Sequence, residues 1–195
     1  MKSMFFLLLI IINLNAQAQD SLKNFNDQRN QVNKTGMEVL GSWGIANIGA
    51  GAAGWANSDG GSNKYFYQMN VIWGSVNLGA AILGFTGANR NNKKQFDVAK
   101  SLKEQRNLEK TFLVNGALDI AYIGTGIYLK KRGSNRDSNK LSGYGTSIIL
   151  QGAFLFLFDG TMYTAQRSHG NKLRRFLEKN PVTFNGKNIG LIYHL

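Results

Sequence analysis

Four stretches of this chain, residues 39–56, 65–88, 111–129 and 141–166, are long, apolar and almost free of charge. A helix needs about 20 predominantly apolar residues to cross a hydrocarbon core about 30 Å thick, and each stretch meets or nearly meets that length. The first two are joined by residues 57–64 and the last two by residues 130–140, both rich in the Gly, Asn and Ser that make turns. Short connections make consecutive helices antiparallel neighbours. The pattern predicts an all-α fold, a four-helix transmembrane bundle. The rival expectation is an eight-stranded outer-membrane barrel, which abundant Gly and aromatic residues, an export signal and a terminal alternating run would also suit. Barrel strands alternate apolar and polar residues over about ten positions. Residues 148–158 are instead nearly continuous in apolar side chains, and Gly and Asn recur at helical spacing, so helices are expected.

Domain organisation follows from the flanks. Lys2, the apolar run 5–12 and Ala16-Gln17-Ala18 read as a positive n-region, an h-region and a cleavage signature. Residues 1–18 are therefore expected to be a cleaved signal peptide, which sends the chain to a bacterial envelope as a multi-pass inner-membrane protein, or to the outer membrane if it were a barrel. Residues 19–38, rich in Asn and Gln, form a polar N-terminal segment expected to be a solvated lead-in. Residues 39–166 make the membrane domain. Residues 167–195 are a basic C-terminal tail, in which Pro181 stops any helix and Ile189, Leu191, Tyr193 and Leu195 alternate as in a strand. Between the second and third stretches, residues 89–110 carry seven Lys and Arg. Their narrow apolar stripe of Phe96, Ala99 and Leu102 predicts a solvated helix that extends the third stretch.

Two rules disagree on orientation. Signal cleavage leaves the mature N-terminus outside and puts 57–64 and 130–140 in the cytoplasm. The positive-inside rule reverses this, because the opposite side holds more Lys and Arg. The signal peptide is given precedence, since the first exported segment usually dominates.

The net charge of +12 would point to nucleic acid in a soluble protein. Here the basic residues lie between the apolar runs, where they face anionic lipid head groups, and no basic stretch carries interleaved aromatics for stacking bases. The expected partner is thus the lipid bilayer and not nucleic acid. With no Cys, disulfides, thiolate metal sites and cysteine nucleophiles are excluded. His169 and His194 stand alone, and no HExxH, Gly-x-Ser-x-Gly or P-loop occurs. No catalytic, metal or cofactor-binding residues are expected.

What remains is a repeat. Trp43-Gly44-Ile45-Ala46-Asn47 in the first stretch matches Trp73-Gly74-Ser75-Val76-Asn77 in the second and Asn115-Gly116-Ala117-Leu118-Asp119 in the third. The fourth begins Gln151-Gly152-Ala153, carries Leu155 at the polar position and places Asp159 one turn later. Asn70, Asn77, Ala81 and Gly84 share one helix face, as do Asn115, Asp119, Tyr122 and Gly126. Gly44, Gly51 and Gly54 suit close helix packing. Asn47, Asn77, Asn115, Asp119, Gln151 and Asp159 are therefore the candidate residues, expected to form a polar seam that holds the bundle in register. The alternative is a small transporter or channel in which Asp119 and Asp159 carry protons or a small cation. No Lys, Arg, His or Pro lies within the four stretches to support such a path.

Residues 141–163, with Gly143-Tyr144-Gly145, Ile148-Ile149-Leu150-Gln151-Gly152-Ala153-Phe154 and Phe158-Asp159-Gly160-Thr161-Met162-Tyr163, resemble an uncharacterised family of small bacterial envelope proteins with a signal peptide and four predicted transmembrane helices. The pieces at Trp43, Trp73 and 115–119 extend the resemblance over most of the mature chain. It implies the same architecture and no assigned activity. The expected function is a non-enzymatic integral membrane protein acting through helix packing, an envelope protein partner or a second copy of itself.

Overall fold

The computed structural model describes the backbone of residues 2–179, 182–184 and 189–191, and the side chains of residues 19–179. Four helices make the body: α1 Lys2–Ala56, α2 Gly61–Asn92, α3 Val98–Asn135 and α4 Asn139–Lys179. The fold is all-α as expected, and the barrel is overturned, because helices occupy every stretch that would have to supply barrel strands. A short antiparallel ribbon follows, β1 Val182–Phe184 against β2 Ile189–Leu191. It takes up part of the alternating tail; Pro181, Tyr193, His194 and Leu195 lie outside the described residues.

Local chemistry explains where the helices begin and end. The turn after α1 uses Gly60 and Gly61 at φ 102° and 62°, a left-handed backbone that favours glycine. Asp97 caps α3, its Oδ1 accepting from the Lys100 N–H at 2.6 Å. The Gly133 carbonyl accepts from the N–H groups of Arg136 and Ser138, closing α3 before a three-residue loop.

α1 pairs with α2 and α3 with α4 as antiparallel hairpins, and α4 joins them by packing along α2 and reaching α1. Glycines allow the close approaches. A Cβ on Gly44 would stand 2.8 Å from the Gly74 carbonyl, and one on Gly74 would stand 2.7 Å from that of Gly44. Gly126 and Gly145 form the equivalent crossing between α3 and α4.

By length and composition, α2, α3 and α4 are long and apolar enough to cross a membrane. Among the described residues α1 does not reach that level. Gly, Ala, Ser and Asn dilute residues 39–56, and the helix before them is polar. A correction concerns residues 19–38, which are no solvated lead-in. They continue α1 and bury one polar face, Asn26, Arg29, Asn30 and Asn33. Residues 98–110 do extend the third stretch as α3, but the stripe they bury is Ser101, Gln105 and Glu109, while Ala99 is exposed. A reading by apolar periodicity cannot see a face that packs through hydrogen bonds.

The interior is mostly polar. The largest fully buried side chains are Arg29, Gln105, Gln151, Gln166, Asn30, Ser101 and Ser147. One apolar cluster, Met37, Leu40, Ala81, Phe112, Leu155, Phe158 and Met162, separates polar layers on either side of it. Outside, the arrangement inverts. Apart from Phe176, the large exposed apolar side chains lie between Val39 and Leu157, on all four helices.

Candidate functional site

The six candidate residues do not form one seam; they divide into two clusters. The first is centred on Gln151, which is fully buried. Its Nε2 donates to Asn47 Oδ1 at 2.6 Å and Asn70 Oδ1 at 3.0 Å, while its Oε1 accepts from Trp43 Nε1 at 2.9 Å and Asn77 Nδ2 at 3.3 Å. All four hydrogen-bonding positions of the amide are thereby used. Asn70 Oδ1 also accepts from Ser147 Oγ at 2.6 Å, and Trp43 is held in place by stacking on Phe154, ring centres 4.0 Å apart. One side chain on α4 thus ties α1 to α2. Asn70 was legible from its helix face and Trp43 from the repeat, but Ser147 was not; the clue is that it stands one turn before Gln151.

The second cluster lies between α3 and α4. Asp119 and Asp159 are 2% and 4% exposed, Asn115 stands one turn before Asp119 on the exposed surface of α3, and a Cβ on Gly116 would lie 3.9 Å from the Asp159 Cβ. Asp119 Oδ2 is buried and receives no N–H or hydroxyl donor. None of the four salt bridges among the described residues includes either acid. Where the Gln151 cluster is saturated, this one is not.

A third polar layer, missed by sequence reasoning, lies at the end where α1, α3 and α4 extend beyond the apolar band. Arg29 donates to Asn26 Oδ1 at 2.7 Å and to the Ser101 carbonyl at 3.4 Å, with the Phe96 ring 5.5 Å away. Burial pulls its pKa down, with Glu104 opposing. Gln105 Nε2 donates to the Gln166 carbonyl at 2.7 Å, and Glu109 pairs with Arg174 at 3.1 Å.

In the same layer His169 stacks on Phe25, its Nε2 donating to the Phe25 carbonyl at 2.9 Å. Burial holds its pKa below the ordinary value of 6.5; the Phe25 bond opposes this, and Lys172 and Arg29 add to the lowering. The unfolded chain therefore binds the proton first as pH falls. His169 contributes full stability above pH 6.5 and loses it progressively below, down to the lowered folded pKa. The melting temperature of the parent should fall more between pH 8 and pH 5 than that of His169→Gln. Parallel pH profiles for the two proteins would refute this assignment.

Among the described residues no group of three His, Cys, Asp or Glu is placed to hold a metal ion. A family model described as a family of unknown function, DUF6992, matches residues 39–160. The chain belongs to this family. The DUF6992 match contains the whole Gln151 cluster and all three residues of the acid cluster, and it leaves out Arg29, Gln166 and His169. Comparison with curated proteins and with solved structures gives no match.

Proposed function

We propose that this DUF6992 protein is a non-enzymatic, multi-pass protein of the bacterial inner membrane, exported by a cleaved signal peptide over residues 1–18. It acts as a packed scaffold, through a protein partner in the envelope or a second copy of itself. The observation that carries the reading is the inverted polarity of residues 39–166: amides and carboxyls inside, and Val39, Ile45, Ile72, Leu83, Leu118, Ile120 and Leu157 outside. A water-soluble bundle has the opposite arrangement.

The rims of the band support the same placement. Lys34 lies 5.9 Å over the Phe85 ring and Arg167 5.9 Å over Tyr163 at one end. Arg132 lies 5.8 Å over Tyr128 and Lys140 5.7 Å over Tyr144 at the other. From Tyr144 to Tyr163 the helical rise is about 28 Å, and from Tyr65 to Phe85 about 30 Å, which matches a hydrocarbon core. Aromatic rings with basic side chains above them are what membrane interfaces select. The apolar cluster around Phe112 and Phe158 interrupts the polar layers, which favours a scaffold over a conduit.

Helix direction puts residues 19–38, 89–110 and 167–179 at one end and the two short loops at the other. Following the signal peptide, the basic end faces outward. The protein should stay in the membrane pellet through alkaline carbonate washing and come out only with detergent; release by carbonate would overturn the membrane reading. Because the chain lacks Cys, single exposed cysteines at Asn63 and Asn107 report orientation on intact spheroplasts. An impermeant maleimide should label Asn107→Cys alone, and labelling of Asn63→Cys alone would reverse the orientation.

A further inference from the structure

We propose that the groove between α1 and α4 at the basic end of the bundle holds an anionic phospholipid whose headgroup carries a hydroxyl, the chemistry of phosphatidylglycerol. The proposal rests on the membrane placement of the apolar band.

The groove has a volume of about 400 Å³, and its lining changes from apolar to polar along its length. Val32 of α1 and Ala165 of α4 line the end nearer the apolar band, whose exposed side chains run from Val39 to Leu157. Gln28 and Lys172 line the outer end, with Gln31, Ser168 and His169 between. A phospholipid carries the same gradient, from acyl chain to phosphate. Depth agrees as well. Tyr163, with Arg167 over its ring, marks the rim of the band, and Ser168 stands five residues further out, a rise of about 8 Å. Headgroups add about 5–8 Å to each side of the hydrocarbon core, so Ser168 lies at phosphate depth. Lys172 is one turn beyond. A helical Cα–Cβ bond tilts toward the N-terminus, which in α4 is back toward the membrane, and a lysine stem is long enough to bring its ammonium to the phosphate.

Charge and hydrogen bonding select the headgroup. No acid lines the groove, and among the described residues no carboxylate pairs with Lys172. A lipid phosphate supplies that anion. His169 decides the rest. It is 5% exposed, and its Nε2 meets the Phe25 carbonyl at 2.9 Å, so Nε2 carries the hydrogen and Nδ1 of the neutral ring is an acceptor. Nδ1 receives no hydrogen bond from the described residues, and the ring lines the groove, so a bound headgroup can supply the donor. An ammonium donor, as in phosphatidylethanolamine, would bring a second cation beside Lys172. A glycerol hydroxyl donates without that repulsion.

The test melts the full chain, purified in an uncharged detergent at pH 7.5, with phosphatidylglycerol, phosphatidylethanol, phosphatidylethanolamine or phosphatidylcholine of the same acyl chains. At about ten times its dissociation constant, phosphatidylglycerol should raise the melting temperature by about 3 °C or more over phosphatidylcholine. Phosphatidylethanol, which has the same charge and no hydroxyl, should give less than half of that shift. Ser168 and Lys172 are exposed, so Ser168→Ala and Lys172→Gln should keep the parental helical circular dichroism and lose most of the shift. Lys103→Gln removes the same charge from an exposed position on α3 outside the groove and should keep it. Equal melting in all four lipids overturns the proposal, and so does an equal shift from the two anionic lipids. Equal losses in Lys172→Gln and Lys103→Gln also overturn it, since the attraction is then a diffuse one to the basic end. Glycerol 1-phosphate, which has no acyl chains, should give no shift; a full shift from it overturns the lipid in favour of a free phosphate ester. Carbonate extraction reports membrane placement separately, so failure of the site and failure of that placement are distinguishable.

Discussion

Gln151→Leu lowers the stability of the detergent-purified protein by about 2–4 kcal/mol, the largest loss expected from any single polar residue in the interior. Leucine fills much of the same volume but strands Trp43 Nε1, Asn47 Oδ1 and Asn77 Nδ2, each of which relies on the Gln151 amide for a side-chain hydrogen bond. A buried donor or acceptor left without a partner costs about 1–3 kcal/mol in water-soluble proteins, and interhelical bonds in membranes are worth about 0.6–2 kcal/mol. Three stranded groups therefore lower the melting temperature by about 5–12 °C. Asn70 is spared, because Ser147 still donates to it. A Gln151→Leu protein that melts within about 2 °C of the parent would show that the cluster contributes no stability and would remove the case for a hydrogen-bonded scaffold.

The second large effect is steric, and it changes sign over two residues of one helix. A Cβ on Gly126 would lie 2.8 Å from the Gly145 carbonyl, the Ile149 N and Ile149 Cγ1, all on α4, so Gly126→Ala must push the helices apart. Overpacking of this kind costs about 1–3 kcal/mol. At Gly124 a Cβ would meet nothing within 4 Å, so Gly124→Ala gains up to about 1 kcal/mol from helix propensity alone. Thermal melts of the two variants beside the parent are the measurement. Equal effects, or a more stable Gly126→Ala, would mean that α3 and α4 do not cross at Gly126 and Gly145.

A good part of this architecture was legible in the residue order. The four apolar stretches, the turn residues at 57–64 and 130–140, and the helical spacing of Asn and Gly specify two helical hairpins. Each is a local property, because the rise and pitch of a helix place residues three or four apart on one face whatever lies opposite. The repeat likewise marked Asn47, Asn77 and Asp119 as inward-facing, and all three are buried.

Which inward residues meet was a matter of how the hairpins are placed against each other. The repeat put Asn115 and Gln151 in one seam with Asn47, yet the rotation of α3 leaves Asn115 exposed beside Asp159, while α4 carries Gln151 to α1 and α2. The polar faces of residues 19–38 and 98–110 looked solvated because apolar periodicity is the usual sign of burial. Asn26, Arg29, Ser101, Gln105 and Gln166 are buried because each finds a hydrogen-bond partner, in most cases on another helix. A polar residue pays for burial only when its partner is in place, and a partner 75 or 137 residues away in the chain leaves no local trace in the sequence.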